Sequence, residues 1–221
     1  MPPHEWSSTA YVEDWTVRDN KEAMLSVPWR ISAELVRDDL GSVQHIVDLG
    51  SGPGGFLEVM LDAFPGATAT WVDQSEPMLE RAKERLDPLG HRVTFMLADA
   101  GDAGSLMLPE ADVITSSRMI HHFAPARTQD LYRVIHDSLR VGGWFCNVDH
   151  FAAPDDFEAR YRRIKPALTG RAKRAGGGGH SHEAPFSLVA EHLSWLADAG
   201  FVAGDSPWRT LWTSLIVARR G

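Results

Sequence analysis

His45-Ile46-Val47-Asp48-Leu49-Gly50-Ser51-Gly52-Pro53-Gly54-Gly55-Phe56 is the stretch whose reading decides the fold. A short apolar run carries one carboxylate near its end. A glycine-rich turn follows, and a helical pattern begins near Phe56. This predicts a strand over 45–49, a tight loop, and a helix over 55–64. Glycines in such a loop let backbone approach a nucleotide-like ligand closely, at the N-terminus of the helix that follows.

Outward from this stretch the chain alternates. Apolar runs at 68–73, 92–98, 111–117 and 143–150 predict further strands, and helical patterns occupy 75–87 and 125–140. Ser75 followed by Pro77 is a good start for a helix, since serine caps the first turn and proline there gives up a donor with no intrahelical partner. Short apolar strands alternating with helices predict a parallel sheet covered on both faces. Residues 1–40 read as an N-terminal helical cap, with Trp6, Tyr11 and Trp15 near one face and Pro28 in the first turn of a second helix. At the other end, Leu188 to Ala199 reads as an amphipathic helix closed by Gly200. Phe201 to Ala203 and Leu211 to Ala218 read as strands. Too few residues separate them for a parallel crossover, so they are expected to pair antiparallel. Residues 152–186 break the rhythm. They carry Arg160, Arg162, Arg163, Lys165, Arg171, Lys173 and Arg174, then a glycine run at 176–179, and read as a lid insertion beside the sheet.

The 221 residues are 43% hydrophobic and 24% charged, with a net charge of -8, which describes a globular chain with a substantial core. The acidic balance argues against nucleic acid as the partner. One cysteine, Cys146, excludes an internal disulfide and a cysteine-based zinc cluster. No secretory h-region follows Met1 and no apolar run is long enough to span a bilayer, so a cytoplasmic protein is expected.

The loop glycines satisfy two templates. Gly50, Gly52 and Gly55 fit the dinucleotide pattern G-x-G-x-x-G. Asp48, Gly50, Gly52 and Gly54 fit the acidic pattern of S-adenosylmethionine sites. Asp73, ending Trp71-Val72-Asp73, suits the ribose of either cofactor. Three further features separate them. Some 40 residues precede the loop, Asp99 offers a second carboxylate at a strand tip, and the terminal strands extend the sheet antiparallel. On these features the chain over about 45–220 resembles the class I S-adenosylmethionine-dependent methyltransferases of the small-molecule type. Asp112 to Phe123, with its His121-His122 pair, is similar to that family's fourth-strand segment. Leu139 to Trp144 is similar to its turn into the fifth strand, with Val141 where a proline is usual. Arg118 departs from the apolar residue common at its position.

The resemblance implies an α/β, Rossmann-like doubly wound sheet, mostly parallel with an antiparallel C-terminal strand. It places residues 1–40 as a helical cap, 45–150 as the cofactor core, 152–186 as a lid insertion and 187–221 as a C-terminal helix and hairpin. It also implies cofactor roles. Asp48, Gly50, Ser51, Gly52, Gly54 and Ser116 flank the methionine part, Asp73 holds the ribose, and Gln74 and Met78 lie near the adenosine. Asp99 and Ala100 hold the adenine, and Arg18 meets the cofactor carboxylate.

For the acceptor, the strand tips offer His121, His122 and Asp149 as catalytic residues. A histidine can deprotonate a hydroxyl near neutral pH, and a carboxylate can orient it. Tyr11, Trp15, Arg118, His150 and His182 are the expected substrate contacts. His180-Ser181-His182-Glu183 with His150 has metal-ligand chemistry, but a solvated loop is the simpler reading, and no metal is expected. The sequence therefore points to methylation of a small acceptor, at oxygen, with His/Asp-assisted deprotonation; the basic run suits an anionic or carrier-bound acceptor. Alternatives left open are carboxy-S-adenosylmethionine-type or cyclisation chemistry, a tRNA-modifying methyltransferase, a non-catalytic cofactor binder, and either a monomer or a homodimer.

Overall fold

The computed structural model describes residues 7–18, 22–169 and 182–221. Strands β1 (His45–Leu49), β2 (Thr68–Asp73), β3 (Val93–Leu97), β4 (Ala111–Ser117), β5 (Leu139–His150), β6 (Phe201–Thr210) and β7 (Thr213–Arg220) form one sheet in the order β3-β2-β1-β4-β5-β7-β6. β3 through β5 are parallel; β7 runs antiparallel to both β5 and β6. The helices are α1 (Thr9–Arg18), α2 (Glu22–Leu40), α3 (Gly55–Ala63), α4 (Glu76–Leu86), α5 (Pro125–Ser138), α6 (Asp155–Thr169) and α7 (Val189–Asp198). This is the expected doubly wound, Rossmann-like sheet with an antiparallel C-terminal end. No helix among the described residues is long and apolar enough to cross a membrane.

Period-two alternation along the central strands sends side chains to two apolar layers. Ile46, Val113, Cys146, Leu215 and Val217 face α2 and α3, joining Trp29, Phe56 and Met60. Val47, Leu49, Ile114, Phe145 and Ile216 face α5 and α7, joining Leu131, Tyr132, Ile135 and Leu196. Strand order reverses between β1 and β4. In such sheets ligands bind beyond the carboxyl ends of the strands at that reversal. Asp48, Asp73, Ser116 and Asp149 all stand at or next to such ends.

Several boundaries differ from the sequence reading. α5 stops at Ser138, and Leu139 pairs with Ala111, so β5 begins four residues earlier than expected; a register shift follows between Ala111 and Val113. β6 runs to Thr210 rather than ending at Ala203. It is an edge strand, where Pro207 needs no ladder partner and the register shifts absorb the irregularity. β7 starts at Thr213 because Leu211 takes a φ of 55° in the preceding turn. Pro28 lies inside α2 rather than in its first turn, and Ser32 Oγ donates to the Pro28 carbonyl at 2.9 Å.

The helical part of the 152–186 insertion is α6, at 155–169. Trp212 Nε1 donates to Glu158 Oε2 at 2.6 Å, and Lys165 Nζ lies 5.2 Å from the Trp212 ring centre, tying α6 to the β6–β7 turn. Arg160, Arg162 and Arg163 are exposed on α6. Arg171, Lys173, Arg174, the 176–179 glycine run, His180 and Ser181 lie outside the described residues, as do Trp6 and the side chains of Trp15 and Arg18.

Candidate active site

The glycine-loop side is built on three acidic strand ends. Asp48, 1% exposed, accepts from Ser51 Oγ at 2.5 Å and Thr115 Oγ1 at 2.7 Å. Ser51 thus turns its hydroxyl inward, onto Asp48. Burial, with a smaller push from the Asp73 charge, raises the Asp48 carboxyl to about 6 despite these hydrogen bonds. Asp73 bridges the glycine loop and α4: Oδ2 accepts from Gly52 N–H at 2.9 Å and Oδ1 from Ser75 N–H at 2.9 Å. Burial raises its carboxyl too, with the Asp99 charge as a lesser cause. Asp99 lies just past β3, accepts from Gly101 N–H at 2.8 Å, and sits 4.0 Å from Arg127 Nη2. Ala100 beside it is buried.

The glycines divide by what surrounds them. At Gly50, φ 61°, an added Cβ would lie 2.4 Å from Met119 Cγ, so the residue is small because Met119 packs on it. At Gly52, φ 53°, an added Cβ would meet, among the described residues, only Met78 Sδ at 3.9 Å. Gly52 therefore fronts the open side of the loop, where close approach of a ligand is possible. Met78 is accordingly beside the loop, and its N–H is capped by Ser75 Oγ at 3.3 Å. Ser116 is fully buried at the β4 tip, and its Oγ has no hydrogen-bond partner among the described residues. Gln74 lies half-buried between Asp73 and the cap of α4.

This donor set fits one of the two cofactors better. S-Adenosylmethionine carries a sulfonium and an ammonium, and the mutually repelling Asp48, Asp73 and Asp99 gain from positive charge. A pyrophosphate would be repelled by them. The orphaned Ser116 hydroxyl and the open lip at Gly52 add a donor and a place for close approach.

At the tips of β4 and β5, His121 and His122 lie in a 3₁₀ turn, Ile120–His122, after β4. Asp149, 1% exposed on β5, meets His121 Nδ1 at 2.5 Å through Oδ1 and accepts the His121 backbone N–H at 3.1 Å through Oδ2. It also accepts from the His150 N–H at 2.8 Å. Burial pushes the Asp149 carboxyl up, but the His121 charge and hydrogen bond, with those of His150, hold it well below the usual carboxylate range. The structure thus brings His121 and Asp149 together, and places His122 against His121 with ring centroids 4.1 Å apart.

His150 packs edge-on to His121 at 5.0 Å and stacks on Phe186 at 6.1 Å. His121, His150, Phe186, His192 and Trp195 line a small cavity there. Arg118 sits between β4 and the histidine turn with φ 58°, a left-handed conformation rare for a non-glycine residue and associated with strained functional positions. Burial lowers its guanidinium, while the Asp149 charge acts the other way. Tyr11 is half-buried on α1, which packs against α4.

His182 reaches this site by a long-range anchor. Glu183 N–H donates to the His122 carbonyl at 3.1 Å, Glu183 Oε2 accepts from Ala124 N–H at 2.9 Å, and Arg127 pairs with Glu183 Oε1. The His182 ring consequently stacks on His122 at 5.0 Å. Burial and the His121 charge lower its pKa. The expected absence of a metal here meets a cluster with ligand chemistry: one ring nitrogen from each of His121, His122 and His182 lies within 4.8 Å of the other two.

Sequence reasoning missed four contributors. Trp29 on α2 stacks on Phe56 at 5.5 Å and donates to Ser117 Oγ at 3.2 Å, closing the loop's far side; its place after Pro28 in an apolar stripe was the only hint. Asn147 is fully buried, next to Ser116 in register, and neither polar atom of its side chain has a hydrogen-bond partner among the described residues. Tyr132 OH meets His192 Nδ1 at 2.6 Å, with burial holding the phenol well above and the imidazole down to about 4. A polar residue inside an apolar strand was the available signal for Asn147; the Tyr132–His192 pair left none.

Fold and site together resemble a class I S-adenosylmethionine-dependent methyltransferase domain. Residues 46–143 match the family described as "Methyltransferase domain". A trans-aconitate 2-methyltransferase of Mycolicibacterium gilvum is 32% identical over 141 residues, 64% of this chain and 50% of that protein. One from Paracidovorax citrulli is 38% identical over 85 residues, 38% of this chain and 28% of that protein. Among solved structures, an O-methyltransferase family protein from Burkholderia thailandensis superposes with a TM-score of 0.73 at 18% identity, covering 99% of this chain and 61% of its own. Human N-acetylserotonin methyltransferase in complex with S-adenosylmethionine gives 0.69 at 19%, covering 100% and 60%. The chain thus spans about a quarter to a half of these two curated relatives and about three fifths of the two solved chains.

Proposed function

We propose that this protein transfers the methyl group of S-adenosylmethionine to an oxygen of a small-molecule acceptor, with His121 as general base and Asp149 as the residue that orients it. The observation that carries this reading is the buried His121–Asp149 pair at the carboxyl ends of β4 and β5, with His121 two residues after the Met119 that packs on Gly50. Bound S-adenosylmethionine supplies an electrophilic methyl group on a cationic sulfur. With Nδ1 engaged by Asp149, proton transfer from an acceptor hydroxyl falls to His121 Nε2. Asp149 favours the tautomer that makes Nε2 the acceptor and stabilises the imidazolium formed. His150 and Phe186 form an apolar and aromatic wall that excludes water from the same end. The carboxylates Asp48 and Asp73 hold the cofactor side, with Met78 and Ala100 against the adenosine and Asp99 near the adenine.

The acceptor proposed is anionic at one end. Arg118, held in an uncommon backbone conformation beside Asp149, is the cation that would meet it, and the relatives named for trans-aconitate support a small acid. The N-terminal helices, through Tyr11 on α1 and through Trp15 and Arg18, are proposed to close over the cofactor, and 152–186 to cover the acceptor. The test is isotopic. With labelled methyl-S-adenosylmethionine and a panel of small organic acids and hydroxylated aromatics, a labelled O-methyl product is expected together with S-adenosylhomocysteine. A product carrying label on nitrogen or carbon, or S-adenosylhomocysteine formation undiminished in Asp149→Asn, would refute the base assignment.

A further inference from the structure

The three imidazoles of His121, His122 and His182 have a joint chemistry that the proposed base role does not use. His121 and His122 are fixed by the turn after β4, and His182 is delivered beside them by the Glu183 anchor. Ring centroids are 4.1, 5.0 and 5.2 Å apart around the triangle, and one nitrogen of each ring lies within 4.8 Å of the others. We infer that His121, His122 and His182 form a binding site for a divalent d-block cation of the Zn²⁺ type.

Three features support a cation of that type. All three donors are imidazoles, which suit zinc and its transition-metal neighbours; magnesium and calcium select oxygen ligands, which this triangle lacks. Three protein ligands leave a fourth tetrahedral position for water or an acceptor oxygen, the arrangement of open rather than closed zinc sites. Asp149, 2.5 Å from His121 Nδ1, gives the first imidazole the carboxylate behind it that fixes ring orientation in metal sites and directs coordination to Nε2.

Ligation requires movement. Metal–nitrogen bonds of about 2.0–2.1 Å put tetrahedral nitrogens about 3.3 Å apart, so the triangle must contract. His182 is the residue to move: it is half-exposed on an irregular segment, whereas His121 and His122 are buried. Its ring lies only 12° from parallel to His122 and must tilt. Rotation about its own side-chain bonds suffices in kind, because the neighbouring Glu183 backbone stays bonded to His122.

His121 Nε2 is also the nitrogen assigned to the proton in the proposed transfer, so cation and base exclude one another there. That consequence rests on the functional reading above; the site itself does not. The test uses the full chain, stripped with a chelator and titrated with Zn²⁺ by calorimetry and with Co²⁺ by visible absorption. One ion per chain at low-micromolar affinity or tighter is expected, with the intense bands of four-coordinate cobalt. His182→Ala and His122→Ala should each weaken Zn²⁺ at least about tenfold, and Asp149→Asn about 10–100-fold through orientation alone. Far-UV circular dichroism verifies that each variant is folded, and His182→Gln replaces any that is not. Millimolar or absent binding, or His182 variants that bind as the wild type does, overturns the site and leaves the His121–Asp149 base untouched. Tight binding combined with methyl transfer that survives saturating Zn²⁺ upholds the site and refutes the base.

Discussion

Cofactor affinity should rise about tenfold between pH 5 and pH 7.5, and Asp48 is the reason. Its carboxyl is raised from 3.8 to about 6, chiefly by burial and against the pull of two hydroxyl hydrogen bonds. In the empty fold such a group is ionised to only about a tenth at pH 5 and almost fully at pH 7.5. A cationic ligand stabilises the ionised form and returns the carboxyl toward its ordinary value. Binding at pH 5 must then expel a proton, which weakens it by about a factor of ten, or ~1.4 kcal/mol. The α-amino group of the ligand keeps its charge through most of this range, so the slope reports the protein. The same shift has a consequence for the empty protein. Because the folded value is raised, the contribution of Asp48 to stability is fully present below pH 3.8 and is lost as pH rises through about 6. At neutral pH this amounts to about 3 kcal/mol of destabilisation. Calorimetric titration with S-adenosylmethionine in buffers of different ionisation enthalpy measures both the affinity and the protons released. Asp48→Asn should reduce the pH slope and the proton release, leaving only the share that Asp73, also raised by burial, contributes. An affinity that is level from pH 5 to 7.5, or that improves on acidification, would refute the argument that Asp48 answers a cation.

Asp73→Ala should weaken S-adenosylmethionine by about a hundredfold, from the loss of charge-assisted hydrogen bonds, and lower the thermal midpoint as well, since Gly52 and Ser75 N–H groups lose their acceptor; calorimetry and a melting curve read the two effects separately. His121→Ala or Asp149→Asn should reduce S-adenosylhomocysteine formation on the true acceptor by about 10²–10⁴-fold, while cofactor affinity changes little, because neither residue stands on the glycine-loop side. Gly50→Ala should destabilise by about 1–3 kcal/mol in denaturant unfolding, from a strained φ and a 2.4 Å approach to Met119 Cγ; adding Met119→Ala should recover only part of that loss, because the Met119 Cβ, 2.6 Å from the new methyl, remains. Trp29→Phe should cost about 1 kcal/mol by the same measurement, losing the bond to Ser117 but keeping the stack on Phe56.

The glycine-loop half of the candidate site was the more legible half. Asp48, Asp73 and Asp99 could be placed because local patterns put each at the end of a strand, and parallel alternation puts those ends on one side of the sheet. The reason for Gly50 was not legible: Met119, far along the chain, occupies the space a side chain would need. The bounds of β5 and β6 were also hidden. Leu139 and Arg140 continue a helical pattern, yet pairing with Ala111 draws Leu139 into the sheet. Gly204 and Pro207 argue against a strand, yet an edge position tolerates them. In 152–186 a helical and loop insertion was expected, and α6 supplies its helix; that Trp212 holds α6 was not legible.

The sequence by itself determined the alternating architecture, the acidic glycine loop and the antiparallel end, because strand length, helical period and turn chemistry are local properties. Only the tertiary structure decided which chemistry-bearing residues meet. His121 and Asp149 were both candidates, but their 2.5 Å contact depends on the β4–β5 register. His182 joins His122 because Glu183 is bonded to the His122 carbonyl, to Ala124 and to Arg127, residues far from it in the chain. Such contacts follow from how the layers pack, and no local pattern encodes a partner that distant.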